Sequence, residues 1–410
     1  MGLASSCIPH INGDDFFDEE GECNIFDTYD IGELLGSGTF GQVRVCRQIG
    51  GATKRAVKII DTQSEVFRQA SGHISAQQEA EILEEVHHPH IVELVDTFDA
   101  GRWYFIVLEC IVGGDLFAAI ANPKVAVTER TVAGVMQQVF DALEYLHRNG
   151  VVHRDVKAEN LLLTSNPQQT HQWQVKLIDF GLAMSQELRP PALVRFFSDA
   201  LGQGRAEDVI CGTAYYCAPE VWLGDYGTKL DVWAAAVVMY IALHGALPFW
   251  DRDPNMIEML IVDPNISPSF RPTPNTEQPD YMPSQLSRNF LEATLSKDAT
   301  LRPNAGMALA DPFFHPPAGG GNTPQQLGSL SKSVSHLGIA HRAQHHHASR
   351  SQSLQEGDGL PPAGDPFQAI PFPVRRKAGR ITTRAPIPAS IEASRTAALD
   401  AMRHKRSTVE

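Results

Sequence analysis

The chain has no long apolar run. In 410 residues the longest, 232–243, is twelve residues, short of the roughly 18 that a membrane-spanning helix needs. That excludes a transmembrane helix and suits a buried core helix. Cysteine is sparse, and the six that occur (Cys7, Cys23, Cys46, Cys110, Cys211, Cys217) form no CxxC pair. A secreted disulfide scaffold and a structural zinc site are therefore not expected. The N-terminus lacks the basic and apolar regions of a signal peptide, which points to a cytosolic chain. Lys and Arg are missing from the first 28 residues, where Asp14, Asp15, Asp18, Glu19, Glu20, Glu22 and Asp27 stand. Trp and Tyr are missing from the 95 residues after His315, where Leu, Ile, Val and Phe together number 16. A segment with so little packable material is expected to be mostly disordered.

Charge divides the chain in the same way. The net charge of -14 is the sum of -20 over residues 1–315 and +6 over residues 316–410. An acidic body argues against nucleic acid as a partner. The expected organisation is a solvated acidic arm over 1–28, a folded body over 29–315 and a basic tail over 316–410. One weak helix is expected in the tail from Ser390, carrying Ile391, Leu399 and Met402. Within the body, strand-like alternation dominates up to Cys110 and helical spacing follows, as in Val132, Val135, Met136, Val139, Phe140, Leu143 and Leu146. Thr128 is a good N-cap for that helix and Asn149-Gly150 a good stop. The coarse expectation is a small β-rich lobe followed by a larger helical one.

Gly36-Ser37-Gly38-Thr39-Phe40-Gly41 matches GxGxxG, which a dinucleotide fold would also give. Here the third glycine opens Gln42-Val43-Arg44-Val45-Cys46, which alternates polar and apolar and reads as a strand rather than a helix. A strand, glycine loop and strand let backbone amides lie over phosphates. Lys58 follows inside Ala56-Val57-Lys58-Ile59-Ile60. A buried ammonium needs an anionic partner, and Glu79 on the helical stretch 75–86 could supply it. Downstream come His153-Arg154-Asp155-Val156-Lys157-Ala158-Glu159-Asn160, Asp179-Phe180-Gly181 and Ala218-Pro219-Glu220.

With these motifs in this order, the sequence resembles the protein kinases from about residue 29 to residue 315. The resemblance implies an α+β fold, a small β-rich lobe and a larger helical lobe with ATP between them. It implies that Asp155 orients the substrate hydroxyl and accepts its proton, and that Lys157 steadies the transferring phosphoryl group. Lys58 and Glu79 would hold the ATP phosphates, and Asn160 and Asp179 would hold Mg2+. The nucleotide would be lined by Gly36, Ser37, Gly38, Thr39, Phe40, Gly41, Val43, Ala56, Lys58 and Leu108. Backbone from Glu109 to Ile111 would meet adenine, and Asp115 the ribose. Glu220 and Arg302 would form a structural salt bridge.

Lys157 and Thr213 are similar to the Ser/Thr rather than the Tyr kinases. Residues 212–221 and 247–251 are similar to the calcium-dependent kinases within the calcium/calmodulin-dependent group. Asp115 and Glu159 match positions where basophilic relatives bind Arg three residues before the acceptor. Ile241 replaces an acidic residue, so no second arginine is expected. The EF-hand pattern is absent: in Asp251-Arg252-Asp253-Pro254-Asn255, Met256 stands where Gly is required. Calmodulin has a basic stretch to bind over 391–406, although stretches this short are more often inert or lipid-facing. The segment from Asp179 to Glu220 is 42 residues long, about a dozen more than relatives carry, with Ser198 as a phosphate acceptor for Arg154 and Glu207 and Asp208 as permanent substitutes.

Met1-Gly2-Leu3-Ala4-Ser5-Ser6 fits the N-myristoylation signal, and Cys7 is placed for palmitoylation. One acyl chain binds membranes marginally, and the adjacent arm is acidic, so the second acyl chain matters. The expectation is a cytoplasmic, peripherally membrane-bound Ser/Thr kinase acting on proteins with basic residues before the acceptor. The rival is a catalytically silent scaffold that recruits partners at a membrane.

Overall fold

A computed structural model describes residues 25–38, 41–64, 67, 76–170, 172–185, 213–223, 227–251, 254–270, 283–315 and 326–327. All lie in the first of the chain's two units, Met1–Ala348. A short helix, α1 (Ile25–Thr28), leads into β1 (Tyr29–Gly38), β2 (Gly41–Gln48) and β3 (Lys54–Asp61). After α2 (Ala76–Glu85) come β4 (Leu94–Ala100) and β5 (Trp103–Glu109). These five strands form one antiparallel sheet in the order β1-β2-β3-β5-β4. Alternation sends Val57, Ile59, Phe105 and Val107 to one face, where Ile25 and Tyr29 cover them. It sends Ala56 and Lys58 to the other.

The helical lobe follows: α3 (Leu116–Ala121), β6 (Val127–Thr128), α4 (Glu129–Arg148), β7 (Val151–Val152), β8 (Leu161–Leu163), β9 (Val175–Leu177) and β10 (Met184–Ser185). It ends with α5 (Lys229–His244), α6 (Pro254–Val262), α7 (Gln285–Thr294), α8 (Ala305–Leu309) and β11 (Gln326–Leu327). The expected helix is α4. Thr128 Oγ1 accepts from Thr131 N–H at 3.1 Å, and Gly150 ends the helix in the left-handed region at φ 71°. Its apolar stripe, Val132 to Leu146, is buried against α5. The twelve-residue apolar run lies in α5, whose residues from Leu230 to His244 are all buried. Burying a Leu or Phe contributes about 1.5–3 kcal/mol, so these two helices anchor the lobe.

Among the described residues, the expectation for the tail meets one departure, at 326–327. Gln326–Leu327 pairs antiparallel with Val127–Thr128, giving β6 a partner strand. The expected helix from Ser390 lies outside the described residues, as do Gly2, Cys7, Ser198, Glu207 and Asp208.

Candidate active site

Three separate elements deliver charge to one point in the cleft. β3 carries Lys58, α2 carries Glu79, and the turn after β9 carries Asp179. Lys58 Nζ donates to Glu79 Oε1 and Oε2 at 2.8 and 2.7 Å and to Asp179 Oδ1 at 2.7 Å. Burial alone would lower the Lys58 ammonium, but the Asp179 and Glu79 carboxylates outweigh it and hold it above the ordinary lysine range. For Asp179 burial works upward, and Lys58 and Lys157 overcome it, so its carboxyl stays below the usual range. Gly181 closes over the trio. A Cβ there would sit 3.3 Å from Asp179 Oδ1 and 3.4 Å from Glu79 Oε2.

A second set is built on the loop between β7 and β8. Asp155 Oδ2 accepts from Lys157 Nζ at 2.7 Å and from Asn160 Nδ2 at 2.8 Å, and Asn160 Nδ2 also reaches the Asp155 carbonyl at 2.8 Å. Asp155 Oδ1 is buried with no partner among the described residues. Beneath this loop lies Asp231, fully buried at the start of α5. It accepts from the backbone N–H of His153 at 2.9 Å and of Arg154 at 2.8 Å, and contacts His147 Nε2 at 2.9 Å. Burial pushes Asp231 upward, yet the His147 hydrogen bond and neighbouring charge bring its carboxyl below the ordinary range. Arg154 is held left-handed at φ 67°, and its Nε donates to Leu182 O at 2.6 Å. His153 packs edge-on against Phe180 with ring centroids 4.8 Å apart.

The glycine loop and hinge complete the cleft wall. A Cβ on Gly41 would stand 1.9 Å from Ile59 O, so β2 and β3 approach this closely only with glycine there. Val43 lies opposite Lys58, and buried Ala56 lies opposite Leu108. Gly36, Ser37 and Gly38 end β1; Thr39 and Phe40 lie outside the described residues. The Glu109 N–H donates to Glu93 O at 3.0 Å, its carboxylate takes the Glu93 N–H at 2.9 Å, and it forms an ion pair with Lys176. Ile111 is half-buried against the core. Asp115 caps α3, accepting from Ala118 N–H at 2.7 Å. Glu159 is reached by Tyr216 Oη at 3.5 Å, and burial raises its carboxyl. Away from the cleft, Arg302 Nη1 and Nη2 pair with Glu220 Oε1 and Oε2 at 2.5 and 3.0 Å, with the guanidinium over Trp233.

Lys58, Glu79 and Asp179 thus form one cluster, and Asp155, Lys157 and Asn160 a second whose Lys157 feels the charge of Asp179. Sequence reasoning missed Asp231 and the Lys176–Glu109 pair. The signal for Asp231 was present: a carboxylate opening an otherwise apolar helix must find donors, because an unpaired buried charge is costly.

A small antiparallel sheet over a helical lobe, with a lysine–glutamate–aspartate trio facing a buried aspartate, defines a protein kinase domain. Residues 29–314 match the protein kinase domain family, and the chain belongs to it. It is 33% identical over 291 residues to the calcium/calmodulin-dependent protein kinase type II alpha chain of Drosophila melanogaster, covering 71% of this chain and 49% of that one. It is 32% identical over 288 residues to serine/threonine-protein kinase H1 of Homo sapiens, covering 70% of this chain and 61% of that one. The twitchin kinase region from C. elegans superposes with a TM-score of 0.62 at 25% identity, covering 79% of this chain and 52% of that one. The chain thus spans about half to three fifths of the length of these relatives.

Proposed function

We propose that the chain transfers the γ-phosphoryl group of ATP to Ser and Thr hydroxyls of proteins. The observation that carries this reading is the state of Asp155: one carboxylate oxygen is fixed by Lys157 and Asn160, and the other, Oδ1, is buried without a partner among the described residues. A buried acceptor left open needs a donor, and a substrate hydroxyl is one. The acceptor oxygen forms the new bond to phosphorus, the bond from phosphorus to ADP breaks, and the hydroxyl proton passes to Asp155. Lys157 stands beside that oxygen to balance developing negative charge.

The donor set fits Mg2+. Asn160 uses its amide nitrogen on Asp155, leaving its carbonyl oxygen as an acceptor, and Asp179 is 43% exposed with Oδ1 on Lys58. Two hard oxygen donors plus substrate phosphates are how this ion is commonly held. Once bound, it neutralises phosphate charge. Lys58, positioned by Glu79, would hold the phosphates together with the loop of Gly36 to Gly41. Val43, Ala56 and Leu108 would bracket the base beside the backbone of Glu109 to Ile111, and Asp115 would meet the ribose.

Substrate choice follows from Asp115 and Glu159, two carboxylates on the helical-lobe side that can take a guanidinium upstream of the acceptor. Gly2 and Cys7 supply acylation sites that would hold the enzyme at a membrane surface. No helix among the described residues is long and apolar enough to cross one.

The test is phosphate transfer from Mg-ATP to an Arg-x-x-Ser peptide by the full-length protein in the absence of calcium, with Asp179→Asn as blank. Transfer that is lost in the variant supports the reading. Silence of both proteins, with nucleotide still bound, favours the scaffold.

A further inference from the structure

The hairpin joining β2 and β3 carries two cations, neither in an ion pair among the described residues. Arg47 lies directly opposite Lys54 in the sheet register, and both are exposed. Like charges directly across a strand pair destabilise it. Asp30 lies opposite Arg47 on the other side, but among the described residues neither Arg47 nor Lys54 has an ion-pair partner. Between them stands Ile49, 51% exposed at the turn. The hairpin tip therefore offers two cations around an aliphatic side chain.

The N-terminal arm enters the fold beside this tip. Ile49 N–H donates to the carbonyl of Thr28, the last residue of α1, at 2.9 Å. The preceding chain reads Asp14-Asp15-Phe16-Phe17-Asp18-Glu19-Glu20, an aromatic pair flanked by carboxylates. Its composition complements the hairpin: acid for Arg47 and Lys54, aromatic for Ile49. Ten residues separate Asp18 from Thr28, a reach of about 33 Å when extended, and a tether this short raises the local concentration of the arm. An anionic lipid surface would suit the same two cations, but the arm's carboxylates are tethered next to them and would repel that surface.

We propose that residues 14–20 of the arm dock on the tip of the β2–β3 hairpin, with Phe16 and Phe17 over Ile49 and the flanking carboxylates at Arg47 and Lys54. The docked arm would set where the acylated N-terminus leaves the catalytic domain.

The experiment is amide hydrogen exchange on the full-length chain, whose readout is independent of kinase activity and of acylation. Docking predicts that exchange over residues 14–22 slows about threefold or more relative to the Arg47→Glu, Lys54→Glu variant. The slowing should vanish in about 0.5 M NaCl, where screening acts over only a few ångströms. Replacing Asp14, Asp15, Asp18 and Glu19 by Lys should also abolish it, and combining those changes with the reversed hairpin should restore it. Phe16→Ser with Phe17→Ser should weaken it without altering the thermal midpoint. Arm exchange at the free-peptide rate in the unaltered protein would overturn the proposal. So would reversed-hairpin protein that keeps its arm exchange but loses binding to phosphatidylcholine–phosphatidylserine vesicles (roughly 7:3), which would make lipid the occupant.

Discussion

Lys58 and Asp231 are both charges withdrawn from water, and their surroundings differ in a way that separates chemistry from architecture. Asp231 takes two backbone N–H groups and a histidine, all from within the helical lobe, and is fully buried. Lys58 takes its carboxylates from α2 and from the turn after β9, elements outside its own sheet, and Asp179 keeps 43% of its side chain exposed. The first arrangement holds a loop in shape. The second joins pieces that can separate and present charge to whatever enters the cleft.

Substitutions should split along that line. Asp155→Asn, which keeps the shape of the open acceptor but removes its basicity, should lower kcat by about 10²–10⁴-fold with little change in the urea midpoint. Asp231→Ala should do the reverse. Two backbone donors and His147 would lose their acceptor, at a cost of about 3–5 kcal/mol, measurable by chemical denaturation of the catalytic domain within the full chain. A stable Asp231→Ala protein with ordinary kcat would erase the distinction.

Acid should test the helical lobe separately from the trio. Burial lowers His153, against the opposing charges of Asp231, Asp155 and Asp179, and burial with Arg288 lowers His244 to about 4. Between the ordinary histidine value near 6.5 and about 4, the unfolded chain binds protons that the folded chain refuses at His244. Stability is therefore full above that range and falls as pH drops through it, by up to about 1.4 kcal/mol per pH unit for each such histidine. Asp179 stays ionised throughout, because its carboxyl lies below the ordinary value. His244→Phe should flatten part of the slope in pH-dependent thermal melts.

Smaller effects concern the two carboxylates proposed to read substrate. Glu159→Gln should reduce kcat/KM about tenfold for an Arg-x-x-Ser peptide, equivalent to about 1.4 kcal/mol, and leave the Ala-x-x-Ser peptide unchanged. Asp115→Ala should remove the α3 cap and destabilise by about 1 kcal/mol, while Asp115→Ser should restore most of that stability without the charge. If Ser also restores the arginine preference, Asp115 acts through the cap alone.

Much of this architecture was readable in advance where local physics suffices. The stripe of α4, its Thr128 cap and its Gly150 stop follow from spacing and turn chemistry, and the all-buried α5 follows from an apolar run too short for a membrane. Lys58 signalled a partner because a cation among apolar neighbours must have one. What spacing could not convey was the third member of that pair, since Asp179 lies 121 residues further along and joins only when the lobes are assembled. The Lys176–Glu109 pair was hidden for the same reason. Both residues look like ordinary strand-edge charges until β9 is set beside the hinge. The β6–β11 pairing was hidden by composition, because a tail poor in apolar residues gives no alternation to read.

Arg154 and Asp179 are the non-glycine residues with positive φ among those described, at 67° and 63°. A side chain in that region costs about 1–2 kcal/mol that glycine would avoid. At Asp179 the ion pair with Lys58 offsets that cost, so selection for heat resistance alone should favour glycine first at Arg154, and selection for turnover should reject it at both. Laboratory evolution under each regime in turn would read out directly which side chains the chain retains for the proposed chemistry at the expense of its own durability.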